Sequence, residues 1–300
     1  MAEVVYTGGN FPVKVGTAVI MRAKSVSLSA TSQLTDEYQL GTVPSLGHTE
    51  GPWTRTVEIV LNPIDTQMER AVTAIAAATD PVTLTALMAA APVDVITPRR
   101  TIEDCVFTSV RYSASVPDTS FSATWQLTGL DKSAGGSVAA PSTAGLIAFK
   151  PKHIMVRFGT FSAMGANILR VKSMNISVTV QNNPWYEFTN EDPWYIDTLS
   201  PAVTLQLTWY GSQDGTAPGT LAYDYRPLPN ASAPDDVEIQ LVPDGAAWDS
   251  AGNIKIEIAN IVASEDGITG STENPVDDTI TYSASDPGGT GGFNIVKIPV

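Results

Sequence analysis

Cysteine is almost missing from this chain: Cys105 is alone among 300 residues. That excludes an intrachain disulfide framework. Within a strand-like segment, a lone cysteine reads as a small buried hydrophobe. Histidine is nearly as scarce, and His48 and His153 fall in unrelated contexts. With one cysteine and two distant histidines, a zinc site is not expected. Neither Gly-x-Ser-x-Gly, Gly-x-x-x-x-Gly-Lys-Ser/Thr nor His-Glu-x-x-His occurs. Ser264-Glu265-Asp266-Gly267 and Asp277-Asp278 are acidic, but their spacing matches no calcium loop. No active site, cofactor or metal is expected, and the chain reads as a non-enzyme.

Long apolar runs are lacking too. Nothing approaches the ~18 residues a membrane helix needs, so no membrane insertion is expected. The opening Met-Ala-Glu-Val-Val-Tyr has neither the basic region nor the apolar core of a secretory leader. Positive charge is in short supply: 17 Lys and Arg face 31 Asp and Glu, for a net −14. Residues 1–140 carry 9 basic and 13 acidic side chains, a net of −4, and residues 146–300 carry 8 and 18, a net of −10. Such a chain repels phosphate backbones, which argues against tight wrapping of nucleic acid. The acidity is equally readable as a solubility device, as the mark of a saline source, or as a wall along which a polyanion slides.

What is present is a repeat. Residues 22–61 align without a gap on residues 170–209, at a constant offset of 148. Identical pairs include Arg22/Arg170, Lys24/Lys172, Ser25/Ser173, Ser29/Ser177, Thr31/Thr179, Gln33/Gln181, Tyr38/Tyr186 and Thr56/Thr204. Apolar residues keep parity, Val26, Leu28 and Ala30 matching Met174, Ile176 and Val178. Upstream, Val13-Lys14-Val15-Gly16 resembles Val156-Arg157-Phe158-Gly159. Three hundred residues suit two domains of ordinary size. We read residues 1–132 as a first domain, 133–147 as a flexible linker poor in charge and rich in small residues, and 148–300 as the second.

Period-two alternation marks strands at Ser25–Thr31, Thr56–Leu61, Val106–Val116 and Phe121–Thr128. The second copy answers at Ser173–Gln181, Thr204–Trp209, Ile254–Ile258 and Thr279–Ser285. The fold class is mainly β: two tandem sandwich or barrel domains with a flanking helix, at least in the first. That helix is expected to start at Asn62 as N-cap and Pro63 as first helical residue, with Met68, Val72 and Ile75 inward. A second short helix is expected from Asp80-Pro81 through Ala91; at the matching place the second copy has Gly211–Gly252, rich in Gly, Pro and Asp, where the helix is either lost or replaced by loops. Residues 34–53 and 182–201 read as long duplicated loops rich in aromatics, among them Tyr38, Trp53, Trp185, Tyr186, Trp194 and Tyr195. Loops of that length inside a compact domain usually have a role; these either fold back over their own core or meet another subunit.

The polar side of the repeated strands is short, hydroxylated and mostly neutral. It comprises Ser25, Ser27, Ser29 and Thr31, then Ser173, Asn175, Ser177 and Thr179, with Thr56 and Glu58 matching Thr204 and Gln206. Plain β-propensity accounts for such a surface. A weakly hydrated lining without cationic hooks accounts for it as well.

The duplicated β unit, with its early strand, long loop and flanking helix, resembles the major tail tube protein of long-tailed bacteriophages and related archaeal viruses. That resemblance implies six domains in a ring whose strands make a continuous inner barrel, with rings stacking through loops and arms. A duplicated chain would then close the ring as a homotrimer with pseudo-sixfold symmetry. The implied partners are further copies of the chain, other tail proteins at the tube ends, and the tape-measure protein and double-stranded DNA transiently in the bore. The implied location is the virion tail, assembled in the host cytoplasm, and a tube without a contractile sheath is the closer analogy. On this reading Ser27, Ser29, Thr31, Thr56, Glu58, Asn175, Ser177, Thr179, Thr204 and Gln206 face the lumen. Tyr38, His48, Trp53, Trp185, Tyr186, Trp194 and Tyr195 would make contacts between subunits or rings. The competing reading is a carbohydrate- or receptor-binding sandwich of a baseplate or adhesin, because aromatic loops also stack on sugars.

Overall fold

A computed structural model describes residues 4–7, 12–37, 47–116, 121–139, 141, 149–151, 154–161, 163–164, 171–187, 192–210, 235–242, 246–269, 277–284 and 292–299. The chain is mainly antiparallel β, as the alternation predicts. In the first half, the strands are β1 (Val4–Thr7), β2 (Lys14–Val15), β3 (Ala18–Val19), β4 (Ala23–Glu37), β5 (Gly47–Leu61), β6 (Val82–Thr83), β7 (Val93–Ile96), β8 (Arg100–Ser115), β9 (Ser122–Gly129) and β10 (Asp131–Ala134). In the second half they are β11 (Ile154–Thr160), β12 (Ala163–Met164), β13 (Val171–Trp185), β14 (Tyr195–Tyr210), β15 (Asp235–Leu241), β16 (Ile254–Thr269), β17 (Asp277–Ala284) and β18 (Phe293–Lys297). Helices α1 (Gln67–Thr73) and α2 (Leu84–Met88) interrupt the first half.

Pairing repeats along with sequence. In the first half β4 pairs with β5, β5 with β9 and β9 with β8. In the second, β13 pairs with β14, β14 with β17 and β17 with β16. A smaller sheet runs β2–β7–β8–β10 in one half and β11–β15–β16–β18 in the other. The irregularities also recur. Register shifts at Ala23/Ser25, Ser32/Leu34, Val93/Val95 and Phe107/Ser109 answer shifts at Val171/Ser173, Val180/Asn182, Asp235/Val237 and Ala263/Glu265. A bulge re-aims a strand and pins its register, so four matched bulges place corresponding side chains on corresponding faces.

The core follows from parity. Val26, Leu28, Val57, Ile59, Trp125 and Leu127 are buried in the first half, and Met174, Ile176, Val178, Leu205, Leu207, Ile280 and Tyr282 in the second. Phe107 meets Trp125 edge-on with ring centroids 5.6 Å apart, and Phe158 of β11 lies 5.3 Å from Tyr282 of β17, so the small sheet closes over the large one in the second half. Cys105 is buried, its Sγ 3.4 Å from the Ile102 carbonyl, as the sequence predicts. Burial pushes its thiol well above the ordinary range. Gly129 ends β9 where a Cβ would stand 2.2 Å from Ile102 Cγ2, leaving no space for a side chain.

Several expectations need correction. The first helix starts at Gln67, not Pro63, because Asp65 Oδ1 accepts from the Gln67 N–H at 2.8 Å and turns the chain first. It stops at Thr73 because Ala74 is left-handed, φ 58°. The second helix is shorter than Asp80–Ala91, since Val82 and Thr83 pair with β18 before the Thr83 side chain caps Ala86 N at 3.1 Å. The segment read as a linker from residue 133 begins as strand, Asp131–Ala134 pairing with β8. Of Gly211–Gly252, residues 211–234 and 243–245 lie outside the described residues, and Asp235–Leu241 is a strand.

Candidate functional site: a polar sheet face and two hairpin arms

The two halves join edge to edge. Strand β8 pairs antiparallel with β13, Ser115 opposite Ser173 through Ser109 opposite Thr179. One sheet therefore runs β1–β4–β5–β9–β8–β13–β14–β17–β16. It is open: beyond β1 at one end and beyond residues 262–269 of β16 at the other, no strand of the described residues follows.

All ten residues expected on a common surface lie on one face of this sheet, the side opposite the core. Thr31, Thr56, Thr179 and Gln206 are exposed and the other six half-buried. Neighbours satisfy one another across strands. Ser29 Oγ and Thr56 Oγ1 are 2.6 Å apart, Thr208 Oγ1 and Thr279 Oγ1 3.0 Å, and Ser113 Oγ and Ser122 Oγ 2.8 Å. Gln126 Nε2 donates to Glu58 Oε2 at 3.3 Å, and Gln206 Nε2 to Thr281 Oγ1 at 3.5 Å. The repeat reaches the bulges as well. Thr108 Oγ1 lies 2.9 Å from Thr128 Oγ1, and at the corresponding place Ser283 Oγ donates to Ser264 Oγ at 3.3 Å. A depression of about 200 Å³ on this face is lined by Ser27, Ser29, Glu58 and Thr128.

Sequence reasoning missed the seam. The face was expected to lack cations, yet Arg111 stands on it, opposite Ser177, its Nε donating to Asn175 Oδ1 at 2.7 Å. Asn182 Nδ2 donates to the Phe107 carbonyl at 2.9 Å and to Thr108 Oγ1 at 3.0 Å. Arg55, buried at the foot of the first hairpin, pairs with Asp192 of the second at 2.5 Å and with Asp131 at 3.8 Å. Nothing in the local sequence announces these pairs, whose members lie 64 to 137 positions apart.

The two duplicated loops are corrected to hairpin arms. Strand β4 continues to Glu37 against Gly47, and β13 to Trp185 against Tyr195, so most of each supposed loop is ladder. Tyr38 lies outside the described residues, and His48 sits on β5 opposite Asp36. Trp53 is half-buried, with Lys132 Nζ 5.0 Å from its ring and Tyr186 Oη donating to its carbonyl at 3.5 Å. Trp185, Trp194 and Tyr195 are 50%, 55% and 49% exposed around the end of the second arm, with Tyr186 on its border.

Away from this face, the Tyr112 hydroxyl donates to Glu69 Oε1 at 2.6 Å, fastening α1 to β8 inside the core. Burial raises the Glu69 carboxyl from an ordinary 4.5 to about 7, against the lowering effect of that hydrogen bond. Burial likewise pushes the Tyr112 phenol well up, with the Glu69 charge adding to it. Ser264–Gly267 and Asp277–Asp278 lie on paired strands β16 and β17.

No protein-family model matches the chain. No curated protein matches it either. Among solved structures, one similar chain comes from the cryo-EM structure of the anti-feeding prophage (AFP) baseplate, 6-fold symmetrised. It is 12% identical, covers 54% of this chain and 100% of its own length, and has a TM-score of 0.34. A score that low does not equate the two folds.

Proposed function

We propose that this protein is a structural, non-catalytic component of a virus tail, and more narrowly a tube subunit that closes into trimeric rings. The observation that carries this reading is the β8–β13 seam. There, one half of the chain joins the other edge to edge in a fixed register, while the strands that would make the same joint outward, β16 and, behind the short β1, β4, lie toward the two ends of the sheet. Residues 1–132 and 148–300 then act as two equivalent tube domains.

Each chain contributes β4, β5, β9, β8, β13, β14, β17 and β16 to the large sheet, so three chains would bring twenty-four strands. At a strand spacing of about 4.8 Å and a tilt of about 40°, such a barrel is roughly 48 Å across its backbone. Inward side chains leave a bore wider than a DNA duplex. The polar face would line it: hydroxyls and amides hydrated by water, with Glu58 repelling phosphate and Arg111 neutralised locally by its amide partner. Closure also removes open sheet edges, which otherwise invite aggregation. The arms, with Trp185, Trp194 and Tyr195, would reach the next ring. Other tail proteins would meet the tube ends, and the tape-measure protein and DNA would pass through.

Electron microscopy of the purified chain over a concentration series tests this directly. Hollow threefold rings or tubes are expected; a monomer at every concentration and salt would reject the reading. A receptor- or carbohydrate-binding module is favoured instead by the same exposed tryptophans. Trp185→Ala/Trp194→Ala separates the two, since the tube subunit would lose stacking and the binding module would lose glycan binding with assembly untouched.

A further inference from the structure

Strand β1 occupies the edge of β4 that a ring would need. Thr7, Tyr6, Val5 and Val4 stand opposite Ser25, Val26, Ser27 and Leu28. By the 148-residue repeat, those positions correspond to Ser173, Met174, Asn175 and Ile176, which Ser115, Ala114, Ser113 and Tyr112 of β8 cover in the internal seam. The same antiparallel edge is thus filled by β8 in one copy and by the chain's own first strand in the other.

Strand β16 corresponds to β8 with an offset of 156, fixed by the pairings with β17 and β9 and by the shared bulge. Transferring the seam register to two molecules puts Thr269, Ile268, Gly267, Asp266 and Glu265 of one opposite Ser27, Leu28, Ser29, Ala30 and Thr31 of the next. Among the described residues, β1 covers β4 from Ser25 to Leu28 and no other strand pairs with that edge at Ser29–Thr31. Among the described residues, the incoming strand and β1 compete at Ser27 and Leu28.

We infer that β1 is a placeholder: it caps β4 in the free chain and is displaced by β16 of a second copy. Resting on the ring reading above, this adds how premature assembly is restrained. A four-residue strand is a weak cap, because short edge strands form few ladder bonds. It blocks unregulated edge pairing yet yields to a longer strand arriving beside it.

The test is a disulfide across the cap. Val5→Cys with Ser27→Cys places cysteines at directly opposed positions, within bridging distance for an antiparallel pair. Oxidised, this full-length variant should form no rings, and reduction should restore wild-type assembly. Val5→Pro/Tyr6→Pro, which removes at least one ladder donor, should shorten the lag of assembly at least five-fold. If the locked variant assembles like wild type, or the proline variant shows an unchanged lag, the placeholder is wrong while the tube stands. If no form assembles, the tube reading falls, and a labelled peptide of residues 261–269 still decides the cap. It should bind the reduced and proline forms at least ten-fold tighter than the oxidised one; equal binding to all overturns the placeholder.

Discussion

Asp104 and Asn260 hold the same unusual backbone at the same point of two strands, β8 and β16, with φ of 50° and 53°. Each donates its N–H to an aspartate on the neighbouring strand, Asp104 to Asp94 Oδ1 and Asn260 to Asp236 Oδ1, both at 3.1 Å. Left-handed backbone costs an ordinary L-residue about 1–2 kcal/mol, and Asp and Asn tolerate it best. This corner lets one long strand serve the small sheet with its first part and the large sheet with its second.

The two aspartates should differ in weight. Asp94 is exposed, so water replaces it, and Asp94→Ala should cost less than about 1 kcal/mol. Asp236 is half-buried and also accepts from the Phe161 N–H at 3.2 Å. Asp236→Ala leaves two donors without their acceptor and should cost about 1–3 kcal/mol. Urea unfolding of the two variants beside wild type measures the difference; equal losses would contradict the corner's role in the second half.

Asn182 ties the second arm to β8, whereas the first copy has Leu34 at that position. Asn182→Leu should cost about 1–2 kcal/mol, because the Phe107 carbonyl loses a partner in a half-buried place. Amide exchange should quicken along residues 109–115 and 173–179 while the β4–β5 ladder keeps its protection. Uniform loss of protection would instead mean that the seam is not a separate unit.

The hydrophobic alternation made the mainly β class, the repeated strands and the polar face legible in the sequence, because a one-residue slip would turn the whole face inward. Arm length was not legible. Trp53 and Pro201 look like loop residues, yet the ladder runs past both behind a bulge, and bulges have no sequence signature here. The helix start was misread because Pro63 suits a first turn, while the deciding group was the Asp65 side chain two residues before Gln67. The seam was invisible because Arg111, Asn175, Asn182 and Thr108 make sense only once β8 and β13 are neighbours. At the positions that the repeat makes equivalent, Arg111, Asn175, Asn182 and Thr108 become Gly267, Ser27, Leu34 and Ser264. If the proposed ring forms, its outer joint would therefore lack the side-chain pairs that mark the inner one.

Glu69 makes stability fall with rising pH. Its carboxyl is about 4.5 when unfolded and about 7 in the fold, so the native state holds the proton more tightly. This contribution is complete below about pH 4.5, declines as pH rises, and is gone above about 7, a span on the order of 3 kcal/mol. Glu69→Gln keeps an acceptor for the Tyr112 hydroxyl and removes the titration. The stability difference between variant and wild type should therefore shift in favour of the variant between pH 4.5 and 7.5, as followed by denaturant midpoints. A pH-independent difference would place the ionised carboxylate in the native core.

The Arg55–Asp192 pair is asymmetric, and the asymmetry predicts which partner matters. Arg55 is buried while Asp192 is about one-third exposed. Removing Asp192 strands a buried guanidinium, with Asp131 at 3.8 Å and the Leu130 carbonyl as its remaining partners. Asp192→Ala should cost about 2–3 kcal/mol, toward the lower end for a broken buried pair because of those partners. Arg55→Val instead installs the residue of the matching position, Val203, and lets Asp192 turn to water. That change should cost less than about 1 kcal/mol, since replacing a buried ion by a packed apolar residue is often neutral. Both variants should release the second arm, read as faster exchange at residues 185–187 and 194–196. A larger loss from Arg55→Val than from Asp192→Ala would show that Arg55 is held by the core rather than holding the arm.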